Sequence, residues 1–221
     1  MITLHHVEQT RSMRTLWLLH ELEVPFEVSI HAFDKSLRDP GYLAISPAGR
    51  VPSLEIDGAR MFETGAIAEY LCERFSPDRL GRMPGAPDRM AWLVWIHFAE
   101  TVSQHCAALT QQHVALRDDS MRSPIVMKLE AARLMKCYDA IEARLGGGIL
   151  SQDYLLMSGF TAADVNVGQA VYMAQHFAKL DNHPNVAAWY ARITDREAFQ
   201  LSLPKDVPLF DRTFYDPWPV E

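Results

Sequence analysis

The pattern of apolar and polar positions divides the chain into a mixed first part and a helical second part. In the first part, residues 2–7 and 26–31 alternate in the manner of strands, and residues 14–23 between them carry apolar side chains at helical spacing. A strand, a crossover helix and a second strand predict a right-handed βαβ unit with parallel strands.

A second group of elements follows an irregular polar stretch. Residues 51–56 predict a strand, the Asp57-Gly58 pair predicts a two-residue hairpin turn, and residues 60–62 predict the returning strand. Helical spacing over 63–75 completes the group. These elements predict a small mixed sheet with helices on its faces.

Residues 76–88 form a proline- and glycine-rich connector, which predicts a domain boundary. The first domain is then expected over 1–78 and the second over 88–203, followed by a tail at 204–221 that is rich in proline and aromatic residues and is predicted to be extended. In the second domain, Thr161 and Asp164 have the spacing of a helix capping box. All the patterns in this domain are helical, and the clearest cover 89–112, 123–146, 185–192 and 195–201.

Composition excludes several classes of protein. The chain has 221 residues, of which 48% are apolar and 22% charged. A chain of this length and composition can form a hydrophobic core without disulfides or a structural metal. Acidic residues outnumber basic ones by 28 to 21, and the net charge of −7 argues against a broad surface for nucleic acid or anionic membranes. No apolar run has the length of a bilayer span and the first residues lack a signal-peptide pattern, so a cytoplasmic protein is expected.

Cysteine and histidine residues point neither to disulfides nor to a metal. Cys72, Cys106 and Cys137 are an odd number at wide spacing, and their helical contexts predict small buried side chains. His105 and His113 are separated by two helical turns without a companion carboxylate pattern, so no metal site is predicted.

Hydroxyl side chains lie between the first predicted strand and the first predicted helix. Thr10 and Ser12 occupy a helix N-terminus, where free backbone N–H groups and the helix dipole favour an anion. A thiolate in such a place has a lowered pKa. The alternative interpretation is that Thr10 or Ser12 only caps the helix.

Two further segments fit parts of a small peptide. If the Val51–Pro52 bond is cis, the Val51 backbone can pair with an extended peptide, whereas a trans bond is the common alternative. Thr64 begins a helix whose N-terminus can hold a carboxylate, and Glu63 can accept from an ammonium group. A solvated glutamate before a capping threonine is the alternative to this amino-acid site.

The order and spacing of these motifs resemble the glutathione transferase family, and in particular its bacterial members with a serine or threonine at the sulfur. Residues 5–22 look like the family's first strand, loop and helix. The segment 46–54 (Ser-Pro-Ala-Gly-Arg-Val-Pro-Ser-Leu) resembles its Asn-Pro-x-Gly-Lys-Val-Pro motif, and 63–67 (Glu-Thr-Gly-Ala-Ile) resembles its Glu-Ser-x-Ala-Ile motif. Residues 160–164 resemble the family's capping box, and 183–189 its late helix.

The resemblance implies a thioredoxin-like α/β domain followed by an all-helical domain, usually in a homodimer. It implies a cytoplasmic detoxification enzyme that binds glutathione as co-substrate, without a metal, and adds it to a hydrophobic electrophile. Glutathione binding is assigned to six residues: Lys35, Arg50, Val51, Pro52, Glu63 and Thr64. The Val51–Pro52 bond would be cis and pair with the cysteinyl unit, and Glu63 with Thr64 would hold the γ-glutamyl end. Arg50 stands where many members have lysine, and Lys35 lies in the loop that often reaches the glycine carboxylate.

The predicted catalytic residues depart from the family pattern. Thr10 occupies the place where the family commonly has Ser, Tyr or Cys against the sulfur, and Ser12 follows two residues later. A threonine hydroxyl can donate the same hydrogen bond, although its β-methyl group restricts the rotamer. Three functions stay open: transfer to an electrophile, glutathione-dependent disulfide or peroxide reduction, and non-catalytic glutathione binding.

A second substrate would lie between the domains, against the helix at 89–112. Four side chains are candidates for the wall of its site, with core packing as the alternative for the aromatic pair: Trp95, Phe98, His105 and His113. Glu100 and Gln104, one turn apart, would face either a partner subunit or solvent.

Overall fold

A four-stranded mixed sheet occupies the first part of the chain. The computed structural model describes residues 1–146, 152–205 and 213–215. Its strands are β1 (Ile2–His6), β2 (Glu27–Ile30), β3 (Ser53–Ile56) and β4 (Ala59–Phe62). They lie in the order β2-β1-β3-β4, with β1 and β2 parallel and the other two pairings antiparallel. The predicted mixed sheet is confirmed.

Helices flank this sheet. They are α1 (Ser12–Leu22), the short α2 (Pro40–Leu43) and α3 (Thr64–Phe75). The stretch expected to be irregular contains α2 and a 3₁₀ turn at Lys35–Arg38, so that expectation was wrong in part. Pro40 occupies the first helical position of α2, where its missing N–H costs nothing, and Asp34 caps the 3₁₀ turn by accepting from the Ser36 N–H at 2.8 Å.

The second part of the chain is helical over its described residues. Its helices are α4 (Arg89–Thr110), α5 (Pro124–Gly146), α6 (Ala162–Ala174), α7 (Pro184–Thr194) and α8 (Glu197–Ser202). Helix α4 continues into a π-helical turn at Gln111–Ala115. The capping box is confirmed, since the Thr161 hydroxyl accepts from the Ala163 N–H and Asp164 Oδ2 accepts from the Thr161 N–H at 2.9 Å. The predicted stop at Gly147-Gly148 and most of the tail lie outside the described residues.

The two parts pack together through α1. Trp17 is fully buried, and its ring meets Phe199 of α8 edge to face at a centroid distance of 4.9 Å. Arg196 donates two hydrogen bonds to the Glu21 carboxylate, at 2.6 and 2.7 Å. Helix α1, whose N-terminus lies at the candidate site, is therefore anchored to the helical part of the chain. Within the described residues, no helix has the length and apolarity that a membrane span requires.

Candidate functional site

The two predicted catalytic hydroxyls lie together but in different surroundings. Ser12 is fully buried; its Oγ accepts from the Val7 N–H at 3.1 Å and lies 2.8 Å from His6 Nδ1. Thr10 is half-buried, and its hydroxyl donates to the Val7 carbonyl at 2.7 Å and lies 2.9 Å from Ser12 Oγ. Ser12 thus braces the loop, and Thr10 presents the more accessible hydroxyl.

Free backbone donors accompany these hydroxyls. Helix α1 begins at Ser12, with Arg11 at the N-cap position. In the described part of the chain, no acceptor meets the Arg11 N–H, and the Ser12 N–H reaches only Thr10 Oγ1 at 3.4 Å. These amides, with the positive end of the helix dipole, suit an anion beside Thr10.

His6 underlies the same loop as a neutral side chain. It is 3% exposed, and burial lowers the pKa of its imidazole to about 4, with the hydrogen bond to Ser12 opposing the shift. At neutral pH the ring therefore adds no charge to the site.

A charged cluster joins α1, α3 and α4 next to this loop. The Glu100 carboxylate on α4 accepts from Arg11 Nη1 at 2.8 Å, from Thr64 Oγ1 at 2.6 Å and from Arg14. Arg14 is 1% exposed and also donates to Thr64 Oγ1 at 3.0 Å and to Ser103 Oγ at 2.8 Å. The solvent interpretation of Glu100 was wrong in part, because its side chain, which is 33% exposed, closes an ion-pair cluster within the chain.

The Arg11–Glu100–Arg14 cluster carries a net positive charge in an acidic protein. Burial raises the pKa of the Glu100 carboxyl, but the charges of Arg14 and Arg11 and the Thr64 hydrogen bond outweigh it, so that the pKa lies below its usual range. Glu100 is therefore ionised, and two guanidinium groups face one carboxylate. One positive charge remains beside the N-termini of α1 and α3.

The backbone of Val51 is open to a ligand. The Val51–Pro52 bond is cis, as the resemblance implies. Val51 packs against a small cluster formed by Val7, Leu37 and Tyr42, and among the described residues neither its N–H nor its C=O has a hydrogen-bond partner. Such a pair of groups can form a strand-like ladder with an extended peptide.

The start of α3 offers backbone N–H groups rather than the Thr64 hydroxyl. That hydroxyl is buried and engaged with Glu100 and Arg14. Glu63 is exposed and has a φ of 75°, a left-handed conformation that non-glycine residues seldom adopt and that clusters at functional sites. Among the described residues, no acceptor meets the N–H groups of Thr64 and Gly65, and the Glu63 side chain is exposed.

Two cations lie on the exposed segment before Val51. Lys35 and Arg50 are both exposed and form no ion pair with the described residues. The Arg50 carbonyl is fixed by the Tyr42 hydroxyl at 2.8 Å and by Ser46 Oγ at 2.9 Å. The base of the Arg50 side chain is thus held in place, while its guanidinium is free to meet a carboxylate.

The four side chains predicted for a second-substrate wall all make contacts within the chain. Trp95 is 9% exposed and packs edge to face against Phe98, which confirms the core interpretation for Trp95. His105 Nδ1 lies 2.7 Å from the Glu130 carboxylate, and His113 is buried against two phenylalanine rings. Over the described ranges, no group of three or more His, Cys, Asp or Glu side chains is arranged to hold a metal ion.

Sequence reasoning missed Arg11 and Arg14. Every residue of α1 except His20 is buried, so the apolar periodicity could not separate an inward arginine from an outward one. Their common partner Glu100 is 86 residues beyond Arg14, a distance over which a single sequence carries no pairing signal. Two arginines in the first turn of an apolar helix were the available hint.

Comparison with known proteins agrees with this architecture. Residues 10–74 match the family model described as glutathione S-transferase, N-terminal domain, and residues 107–192 match the one described as glutathione S-transferase, C-terminal domain. Glutathione S-transferase F13 of Arabidopsis thaliana is 30% identical over 197 residues, which cover 84% of this chain and 87% of that protein. Glutathione S-transferase 3 of Schizosaccharomyces pombe is 25% identical over 212 residues, 93% of this chain and 88% of that protein.

Solved structures show the same fold. The glutathione transferase URE2P6 of Phanerochaete chrysosporium, in complex with oxidized glutathione, has a TM-score of 0.79 at 21% identity and covers 91% of this chain and 94% of its own. A thioredoxin-like sheet domain followed by a helical domain defines the class of protein. The chain belongs to the glutathione transferase superfamily.

Proposed function

We propose that this chain is a glutathione transferase, which binds glutathione as an extended peptide and presents its sulfur as a thiolate to a hydrophobic electrophile. The observation that carries the proposal is the Val51 backbone, whose N–H and C=O lack partners among the described residues. If the cysteinyl unit pairs with Val51, the γ-glutamyl end of the peptide would extend toward Glu63 and the start of α3. The glycine end would extend toward Arg50. The glutathione transferase names of the relatives support the same activity.

Each part of glutathione has a matching group. The γ-glutamyl carboxylate would bind the N–H groups at the start of α3, beginning with Thr64, and its ammonium group would bind Glu63. The glycine carboxylate would meet Arg50, with Lys35 as a second cation on the same segment. The residual positive charge of the Arg11–Glu100–Arg14 cluster favours a ligand with a net negative charge.

The sulfur would be activated electrostatically. The Thr10 hydroxyl, which donates to the Val7 carbonyl without ligand, would turn to donate to the sulfur, and with the amides at the start of α1 it would stabilise the thiolate relative to the thiol. Ser12 lies 2.9 Å from the Thr10 hydroxyl and would help to hold it in place. Lowering the thiol pKa by about two units corresponds to about 2.7 kcal/mol, which one hydrogen-bonding hydroxyl and a helix N-terminus can supply together.

Glutathione-dependent reduction of disulfides or peroxides is the second candidate function. Burial raises the thiol pKa of Cys72 and Cys106 to about 12, so neither is suited to attack a disulfide. Such a reaction would need two glutathione molecules, and a Pseudomonas fluorescens family member with a TM-score of 0.77 is described with two glutathione bound. A non-catalytic glutathione-binding module would show binding without either reaction.

We also propose a homodimer in the cytoplasm with a role in detoxification. Four large apolar side chains are exposed on the neighbouring elements β4, α3 and α4, a typical mark of an interface: Phe62, Tyr70, Met90 and Val94. Three free, buried cysteines fit a reducing compartment. Sedimentation of the wild type and of Val94→Glu tests the dimer, because a charge in that surface would shift the protein toward monomer.

Calorimetric titration tests the proposed function. Reduced glutathione should bind with a dissociation constant below about 1 mM, and cysteinylglycine, which lacks the γ-glutamyl unit, should bind at least tenfold more weakly. Arg50→Ala should weaken glutathione binding, whereas Arg192→Ala, on α7, should not. Activity assays then separate the three functions. A transferase would turn over an aryl halide, a reductase would turn over a mixed disulfide or a peroxide, and a binding module would turn over none of them.

A further inference from the structure

Helix α6 holds the loop that carries Thr10 by two hydrogen bonds from the helical part of the chain. Gln169 Nε2 donates to the Thr10 carbonyl at 3.2 Å. One turn further along, the Tyr172 hydroxyl accepts from Gln9 Nε2 at 3.1 Å. Gln9 has a φ of 51°, a conformation that a non-glycine residue keeps only where its surroundings impose it. Helix α6 therefore fixes the backbone at residues 9 and 10.

The bond from Gln169 helps to set the direction of one peptide group, whose carbonyl also accepts from the Met13 N–H at 3.1 Å. The Thr10–Arg11 peptide is trans, since Val51–Pro52 is the cis bond recorded in the described residues, and its C=O and N–H therefore point in opposite directions. The C=O points toward α6, where Gln169 meets it. The Arg11 N–H is consequently turned away from α6, and no described residue accepts from it.

Packing alone does not account for Gln169. The side chain is fully buried, where an amide is unfavourable unless it is hydrogen-bonded. Gln169 Oε1 has no hydrogen-bond partner, so the bond to the Thr10 carbonyl is the interaction that compensates for burying the amide. An apolar side chain of the same volume would suit the surrounding core, and it would leave the Thr10 carbonyl with the Met13 N–H, at 3.1 Å, as its donor.

We propose that Gln169 is a positioning residue for the glutathione reaction, which fixes the Thr10–Arg11 peptide so that the Arg11 N–H donates to the glutathione sulfur. The inference rests on the proposed function, because it assumes that the sulfur lies beside Thr10. It adds a residue from the helical domain to the activation of the thiol, and it makes a backbone N–H, alongside the Thr10 hydroxyl, a donor to the thiolate.

The test compares two buried amides on the same helix. Gln169→Met keeps the length of the side chain and removes its N–H group. The matched control is Asn166→Leu, because Asn166 is also fully buried on α6 and has an orphan oxygen, but its Nδ2 donates to the Ile96 carbonyl at 3.5 Å and not to the loop. The thiol pKa of bound glutathione is read from thiolate absorbance against pH.

Gln169→Met should raise the thiol pKa by about one unit, a tenfold change in the ionisation constant, and raising the pH should restore the lost turnover. Asn166→Leu should leave this pKa unchanged. An unchanged pKa in Gln169→Met, or an equal rise in both variants, would overturn the proposal. If Gln169→Met does not fold, Tyr172→Phe takes its place, with a smaller rise expected and the absence of any rise counting against the proposal.

A measurement without ligand separates this inference from the proposed function. If the wild type binds no glutathione, the proposed function fails, and amide hydrogen exchange in the ligand-free protein still tests the positioning. Exchange of the Met13 N–H, which donates to the Thr10 carbonyl at 3.1 Å, should be about tenfold faster in Gln169→Met than in Asn166→Leu, since that carbonyl loses its Gln169 partner. Equal exchange rates would show that Gln169 does not hold the loop.

Discussion

The Thr64 hydroxyl donates to Glu100 Oε1 at 2.6 Å, and this bond joins the start of α3 to the first long helix of the second domain. Arg14 donates to both groups from the first turn of α1. The N-termini of two helices are therefore tied together through one carboxylate, and the spacing of the proposed sulfur and γ-glutamyl sites depends on it.

Removing the Glu100 carboxylate should destabilise the protein. Glu100→Ala leaves the buried Arg14 guanidinium without its counter-charge, a change that typically costs about 3–5 kcal/mol. Urea unfolding at pH 7.5 measures the loss. Glu69→Gln is the matched control, since Glu69 pairs with the exposed His97 and should change stability by less than about 1 kcal/mol. Similar losses in the two variants would refute a buried role for Glu100.

Gly168 should tolerate no side chain. A Cβ there would lie 2.5 Å from Ile193 Cδ1 on α7 and 3.1 Å from the Trp17 ring on α1, so Gly168→Ala should cost about 1–3 kcal/mol by forcing α6 away from both helices. Gly41→Ala is the control, because a Cβ at Gly41 meets nothing within 4 Å. Thermal unfolding should show a lower midpoint for Gly168→Ala alone; equal midpoints would mean that α1 and α6 are less closely packed.

His6 should make the protein acid-sensitive. Its pKa falls to about 4 in the folded state from an ordinary value of 6.5, so the folded protein resists a proton that the unfolded chain accepts. The stability contributed by neutral His6 is present above pH 6.5 and is lost as the pH falls toward 4, by up to about 3 kcal/mol.

His6→Asn removes this titration and can keep an acceptor near Ser12 Oγ, which lies 2.8 Å from His6 Nδ1. The free energy of unfolding, measured in urea from pH 8 to pH 4.5, should fall less steeply for the variant than for the wild type. Other titrating groups contribute equally to both proteins, so their effect cancels in the comparison. One such group is the buried Asp164, because burial raises the pKa of its carboxyl to about 6. Parallel curves would contradict the buried, neutral state of His6.

Thr10 should contribute through its hydroxyl. Thr10→Val has the same shape without the oxygen, so turnover of an aryl halide at pH 6.5 should fall at least tenfold, as expected for the loss of one hydrogen bond to a thiolate. Thr10→Ser should retain most of the activity, because it keeps the hydroxyl. Equal activity in wild type and Thr10→Val would assign the stabilisation of the sulfur to backbone amides alone.

The fold was predictable because its signals are local. Alternation gave β1 and β2, the Asp57-Gly58 turn gave the β3–β4 hairpin, and the Thr161–Asp164 spacing gave the start of α6. The short α2 was missed because four residues are too few to show a helical period.

The candidate site residues that the sequence could propose, such as Thr10, Val51 and Thr64, each belong to a motif contained in one short segment. The ion pairs of Glu100 were missed because its partners come from α1 and from the segment before it, and no local pattern records such tertiary contacts. Gln169 was missed for the same reason, since its target is a carbonyl 159 residues earlier.

The ionisation of glutathione on the protein tests the central claim most directly. Thiolate absorbance near 240 nm is titrated against pH with saturating glutathione, with S-methylglutathione as the blank. The thiol of bound glutathione should have a pKa about two units below that of the free tripeptide, near 7 or lower. A bound thiol that titrates with the free tripeptide, or no saturable binding at millimolar glutathione, would contradict it.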